Sequence, residues 1–188
     1  MVGSVRNEDS AVDGESHAWN AIEILKKWYL IDPTWNSGHA MDRYQSLPHI
    51  ADYLLTPPEV FGLDHFPSRP KWQLREKPLT RGEFIRQPMM SPRFYWQGFE
   101  LVKPSRSHIT VQGTVEIVLV KKSAYFVIAS YEKPGQEQRT KCTVDDQIHT
   151  AKVRCQFPKP GPFQVLLFSN EERYGTYGFI GKVAIINE

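Results

Sequence analysis

From about residue 107 onward the chain is a series of short apolar runs separated by turn residues, and this rhythm limits the architectures open to it. Val111–Val120, Ala124–Ser130, Arg139–Val144, Thr150–Phe157, Phe163–Ser169 and Phe179–Ile186 are rich in β-branched and aromatic residues. Between them stand Lys121-Lys122, Pro134-Gly135, Asp145-Asp146, Pro158-Lys-Pro-Gly161 and Asn170. Thr114-Val-Glu-Ile-Val-Leu119 and Lys152-Val-Arg-Cys-Gln-Phe157 alternate polar with apolar, so one face of each can be buried and the other wetted. Short strands at this spacing over roughly 80 residues predict a β-sandwich. The last run stops near the C-terminus, and the sandwich is expected to be complete at that end. Fourteen prolines argue against long helices and favour many short segments. Aromatic residues, 12% of the chain, supply the area for a packed core in spite of them.

The first half reads differently. Residues 1–15 carry little apolar pattern and are expected to be a frayed lead-in. Residues 17–24 and 28–35 read as two strands separated by Leu25, Lys26 and Lys27, although the separator lacks the Asn-Gly of a favoured two-residue turn. Asn36-Ser-Gly38 signals a loop, and Asp42–Leu55 suggests a short helical stretch interrupted by Pro48. Thr56-Pro-Pro-Glu59 suggests a helical turn capped by Thr56. Residues 61–104 are Pro-rich and irregular. One short helix is expected around Thr80–Arg86, with Thr80 and Glu83 in capping-box spacing. The rest should anchor through Trp72, Phe84, Phe94, Tyr95 and Trp96.

The two N-terminal strands carry the chemistry. The simplest turn, Leu25-Lys26, sets Ile24 opposite Lys27 and Trp19 opposite Asp32. His17 then lies on the same face as Asp32 and diagonal to it, within reach of a long side chain. A carboxylate there can accept the imidazole N–H, fix the tautomer and leave the other ring nitrogen free to take a proton from a thiol. A one-residue slip would turn the two side chains to opposite faces. A histidine and an aspartate on neighbouring strands more commonly form a surface or half-buried pair without catalytic role. Trp19, Asn20 and Trp35 are candidates to line a substrate cleft beside His17. The competing reading is core packing for the tryptophans and a strand-edge hydrogen bond for Asn20. His65 fits no metal spacing and is expected to be a packed, hydrogen-bonded loop histidine.

Other function classes find little support. The formal net charge is +2, too small to point to nucleic acid or an anionic membrane. No apolar run reaches the ~18–20 residues of a membrane span. Residues 1–16 lack a secretory h-region. No P-loop, dinucleotide fingerprint or serine nucleophile elbow occurs, and no cofactor is expected. The two cysteines, Cys142 and Cys155, fall on expected strands and read as buried structural residues. A hairpin turning at residues 145–148 would carry Cys155 past the position opposite Cys142, so no disulfide is expected. A reducing cytosolic setting is the default.

His17-Ala-Trp-Asn20 followed by Trp28-Tyr-Leu-Ile-Asp32-Pro-Thr-Trp35 resembles the histidine and aspartate blocks of transglutaminase-like domains. Tyr53-Leu-Leu-Thr-Pro-Pro58, His65-Phe-Pro67, Trp72-Gln-Leu74, Pro78-Leu-Thr80 and Glu83-Phe84 resemble the segment that follows in the kyphoscoliosis peptidase and hillarin family. Phe157-Pro-Lys-Pro-Gly161, with Phe163 and Phe168, resembles the sandwich beyond it. The resemblance implies an α+β fold. Residues 1–60 would be the C-terminal part of a papain-like, transglutaminase-like core. Residues 61–106 would be a connecting segment, and residues 107–188 an immunoglobulin-like β-sandwich. It implies His17 as base and Asp32 as orienter of a Cys-His-Asp triad whose cysteine lies some tens of residues upstream, before this sequence begins. The chain alone would then be inert, and the hairpin would show an exposed apolar patch where missing helices pack. A protein substrate or a cytoskeletal partner is implied, in the cytoplasm. The alternatives are a non-catalytic scaffold or interaction module, or a thiol supplied by a second chain.

Overall fold

The computed structural model describes residues 1–5, 16–36, 53–122, 124–136 and 138–188. It divides the chain into two compact units, Met1–Ile85 and Arg86–Glu188. Residues 61–106, expected as a connecting segment, are shared between them. The loop signal at 37–38 and residues 42–52 of the helical stretch expected over 42–55 lie outside the described residues, and residues 53–55 are turn and bend rather than helix.

Unit 1 runs β1 (Val2–Val5), β2 (Ser16–Ala18), β3 (Asn20–Ile24), β4 (Lys27–Ile31), α1 (Pro33–Asn36), α2 (Pro58–Phe61), β5 (His65–Pro67), a 3₁₀ turn at Pro70–Gln73 and α3 (Arg81–Arg86), where the unit ends. β1 corrects the expected lead-in: residues 2–5 are the middle strand of an antiparallel sheet ordered β2-β1-β5. Gly3 faces His17 on one side and Pro67 on the other, and position 5 faces His65. Cross-strand partners share a face, so His17 and His65 rise from the same side of this sheet. Gly3 is required there. A Cβ on it would clash with the Phe66 carbonyl oxygen and meet Trp19 Cη2 at 2.5 Å and Pro67 Cα at 2.7 Å. The space a side chain would take is filled by the Trp19 ring. Pro67 is tolerated because β5 is an edge strand.

The hairpin β3–β4 has the expected register, with Ile24 opposite Lys27 and Asn20 opposite Ile31. Leu25 and Lys26 turn with positive φ at both positions (50° and 63°), the type I′ requirement met here without glycine. The strands are shorter than expected. Trp19 interrupts the first, between β2 and β3, and the second stops at Ile31. Asp32-Pro33 opens α1 instead, with the Thr34 and Trp35 N–H groups donating to Asp32 Oδ1 at 2.9 and 3.0 Å. An aspartate cap before proline is a helix start. Trp19, Leu30 and Phe61 form the buried centre of the unit. Ile22 and Ile24, roughly two-fifths exposed, share one face of the hairpin with Leu25, 96% exposed, at its turn, while Trp28, 40% exposed, lies on the other face against Trp72. Trp19 and Leu30 are buried and not part of the exposed apolar surface. Thr56 does not cap α2: it is fully buried and bridges Leu30, and Pro57 stands at the cap. At α3 the capping box forms. Thr80 N donates to Glu83 Oε2 at 2.7 Å, and Glu83 N to Thr80 Oγ1 at 3.3 Å.

Unit 2 contains β6 (Met89–Met90), α4 (Pro92–Trp96), β7 (Phe99–Lys103), β8 (His108–Val111), β9 (Thr114–Lys121), β10 (Phe126–Glu132), β11 (Thr140–Lys141), β12 (Thr143–Asp146), β13 (Thr150–Gln156), β14 (Gly161–Asn170) and β15 (Gly178–Asn187). One sheet is ordered β11-β10-β14-β15-β6, with β8 also on β15, and the other β12-β13-β9-β7. Inward residues of both, among them Ile117, Leu119, Val153, Val165, Leu167 and Ile185, belong to one buried cluster, as in a β-sandwich. The expected run Val111–Val120 is two strands, because Gly113 turns the chain at φ +78°. Phe94 is fully buried as expected, whereas Trp96, also expected to anchor, is 52% exposed.

Two further expectations fail in this unit. Cys142 and Cys155 form a disulfide. The turn lies at Gln147–Thr150, later than expected, and Thr143 pairs with Arg154. That register sets the two cysteines directly opposite each other, Cα atoms 4.6 Å apart, where the chain passes from one sheet to the other between β11 and β12. Lys121, expected as a turn residue between strands, is 4% exposed. β9 runs on through it, so alternation turns its side chain inward, where Asp146 pairs with its ammonium and the Tyr125 carbonyl accepts from it at 2.8 Å. Asp146 also accepts from Val127 N at 3.1 Å.

Candidate functional site

The end of β4 and the three-stranded sheet of unit 1 bring four ionisable side chains together. His17 on β2 and Asp32 after β4 meet through His17 Nε2 and Asp32 Oδ2, 2.6 Å apart. Asp32 is fully buried, while the His17 side chain keeps 18% exposure. The carboxylate is thus sealed and the imidazole reachable. The two oxygens of Asp32 divide their work. Oδ1 caps α1, and Oδ2 faces the imidazoles. The cap fixes the carboxylate by the backbone of the residues that follow it, Thr34 and Trp35.

The second imidazole is one that no local sequence pattern ties to the site. His65, on β5, is buried, and its Nε2 lies 2.9 Å from the same Asp32 Oδ2. Its Nδ1 lies 2.5 Å from Asp64 Oδ1, and Asp64 Oδ2 accepts from the Tyr53 hydroxyl at 2.6 Å. The result is a continuous path, His17–Asp32–His65–Asp64–Tyr53. Tyr53 is placed by a backbone bond from Asp32 N to its carbonyl at 3.0 Å. His65 is a strand residue, not a loop residue. It is packed and hydrogen-bonded as expected, but its partner 33 residues earlier is Asp32.

Burial by itself disfavours the charged form of Asp32. Hydrogen bonds from His65, the Trp35 amide and His17 outweigh it, and the carboxyl pKa lies below its ordinary value. Burial likewise opposes charge on His65. The Asp64 charge and the hydrogen bonds to Asp32 and Asp64 overcome it, and the His65 pKa is raised.

The remaining candidates separate. Trp19 is 2% exposed and packs in the core, its ring 5.0 Å edge-on to His65. Trp35 is half-buried at the site, 5.7 Å from the His17 ring and 4.6 Å from His65. Asn20 is exposed on β3, and no hydrogen bond among the described residues joins it to His17 or Asp32. His17, Asp32 and His65 offer ligand atoms within 4.8 Å of one another, close enough to suggest a metal site. Those atoms meet in direct contacts of 2.6 and 2.9 Å, the distances of hydrogen bonds. The second nitrogen of His65 is likewise hydrogen-bonded to a carboxylate.

Part of the chain is similar to known proteins. The chain is 33% identical to kyphoscoliosis peptidase of Mus musculus over 110 residues, 57% of the chain and 17% of that protein. It is 33% identical to kyphoscoliosis peptidase of Homo sapiens over 106 residues, 55% of the chain and 16% of that protein. Hillarin of Drosophila melanogaster is 26% identical over 97 residues, 44% of the chain and 12% of hillarin. Over the matched residues the chain is similar to members of the kyphoscoliosis peptidase and hillarin family. No family model matches it. The match spans less than one-fifth of the length of these family members, 17% and 16% for the two peptidases. No helix among the described residues is long and apolar enough to cross a membrane.

Proposed function

We propose that this chain carries the base and the orienting carboxylate of a thiol acyl-transfer site, on part of a transglutaminase-like core followed by an immunoglobulin-like sandwich. The reading rests on the 2.6 Å contact between His17 Nε2 and Asp32 Oδ2. With Nε2–H donated to the carboxylate, Nδ1 of His17 is the nitrogen left to take a proton. A thiol placed there loses its proton to Nδ1, and Asp32 stabilises the resulting imidazolium. The thiolate attacks a glutamine side-chain or peptide carbonyl. His17 then returns the proton to the leaving amine, and water or a second amine cleaves the thioester. Cys142 and Cys155 are bonded to each other, so the thiol in this reading comes from outside these 188 residues. On its own the chain is inert.

The mouse and human relatives carry the name peptidase, which supports a protein substrate. The exposed Ile22, Ile24 and Leu25 favour a second reading, a non-catalytic interaction module with a cytoskeletal partner. Assays of peptide cleavage and of amine incorporation into glutamine distinguish them. A longer protein with a cysteine preceding His17 should turn over, and His17→Ala should slow it by about 10²–10⁴-fold. The 188-residue chain should show no turnover. Turnover by the chain alone, or full activity in the His17→Ala protein, contradicts the reading.

A further inference from the structure

The geometry points to His65 as a positioning residue of the same site: an imidazolium clamped between Asp64 and Asp32 that holds the Asp32 carboxylate against His17. This rests on the reading of His17 as the base. Both ring nitrogens of His65 face carboxylate oxygens, Asp64 Oδ1 at 2.5 Å and Asp32 Oδ2 at 2.9 Å. A neutral imidazole has one N–H and one lone pair. In that state one of its nitrogens would turn a lone pair toward a carboxylate oxygen inside the protein, with no solvent to relieve it. Two N–H donors satisfy both oxygens.

Charge counting leads to the same state. Asp32 is fully buried and Asp64 nearly so. Two buried carboxylates without a cation would be costly. With His65 protonated, Asp32, His65 and Asp64 together carry one negative charge. That single charge is neutralised when His17 takes up a proton. The ionisable groups facing His65 are Asp64 beside it, Asp32 from the end of β4, His17 on β2 with its ring 6.0 Å away, and Tyr53, whose hydroxyl holds Asp64. Phe61, Trp19 and Trp35 pack their rings against it and exclude water. His65 therefore does two things. It gives Asp32 Oδ2 a second, fixed donor, and it sets one positive charge between the two buried carboxylates.

The test is imidazole ¹H–¹⁵N NMR of the full chain against pH. His65 should show both ring nitrogens protonated, and it should remain so above the ordinary histidine midpoint of about 6.5. His65→Gln should loosen the Asp32 carboxylate and shift the His17 Nε2–H resonance, the mark of its hydrogen bond to Asp32. A His65 with one bare nitrogen at neutral pH overturns the proposal, and the parent chain suffices to see it. An unmoved His17 Nε2–H resonance in a folded His65→Gln chain also overturns it. Either result leaves His17 free to be the base. A His17 carrying its proton on Nδ1 rather than Nε2 would instead remove the reading on which the proposal rests.

Discussion

Gly3→Ala is the substitution whose effect the structure determines most closely. The added Cβ would clash with the Phe66 carbonyl oxygen, and it would lie 2.5 Å from Trp19 Cη2 and 2.7 Å from Pro67 Cα. Two of these three atoms are backbone of β5, which cannot rotate away. The third belongs to a ring held in the core between Leu30 and Phe61. β1 must therefore move off β5, or Trp19 must leave its place between the histidines. Overpacking of this kind costs about 1–3 kcal/mol, and rigid neighbours put it at the upper end. Alanine restricts the unfolded chain and returns about 0.4–1 kcal/mol. The net expectation is a loss of about 2 kcal/mol, a fall in melting temperature of roughly 8–16 °C for a unit of this size. Trp19, Trp28, Trp35 and Trp72 all lie in unit 1, so tryptophan fluorescence in a urea titration reports mainly on it. A Gly3→Ala chain within about 0.5 kcal/mol of the parent would refute the placement of β1 between β2 and β5.

Further expectations concern each unit separately. The Asp32 pKa is lowered on folding, so its contribution is present above the unfolded value near 3.9 and is lost as pH falls through the folded one. The His65 pKa is raised, so its contribution is complete below about 6.5 and is lost as pH rises through the folded value. Urea midpoints of unit 1 should therefore be highest between about pH 4 and 6.5, and a flat profile would contradict the coupling. In unit 2, Cys142→Ser with Cys155→Ser should lower stability by about 3 kcal/mol, measured by circular dichroism and reproduced by reductant on the parent chain. Asp146→Ala leaves the Lys121 ammonium buried beside the Tyr125 carbonyl alone, and should destabilise the sandwich by about 3–5 kcal/mol in the same measurement. Replacing Leu25-Lys26 by Asn-Gly should stabilise unit 1 by about 1–2 kcal/mol, because the turn already has positive φ at both positions.

What can be read in the sequence is local. Alternation through residues 114–119 and 152–157 survives in β9 and β13, because one face of each strand meets the sandwich core. The hairpin register follows from the shortest turn between two aromatic runs, but the pairing ends at Asn20 and Ile31, and His17 reaches Asp32 from β2, which pairs with β1 instead. Other features depend on distant partners. Residues 2–5 carry no pattern of their own and become a strand only between β2 and β5. The role of His65 arises when β5 docks on β1 and carries the ring to a carboxylate 33 residues earlier in sequence. The disulfide escapes a sequence reading because the turn after β12 sits later than Asp145-Asp146 suggests, and a shift of that size moves every opposed pair. One signal is present in the sequence and easily passed over: Asp32-Pro33 is a helix cap followed by a helix-starting proline, which marks the end of the strand and the fixing of the carboxylate.

The proposed chemistry depends most on which nitrogen of His17 carries the proton. Long-range ¹H–¹⁵N correlation on the neutral ring decides it. A proton on Nε2, lost to exchange or moved when Asp32 becomes asparagine, is the predicted result. A proton on Nδ1, or a ring indifferent to Asp32→Asn, would contradict the hydrogen bond from which that chemistry is built.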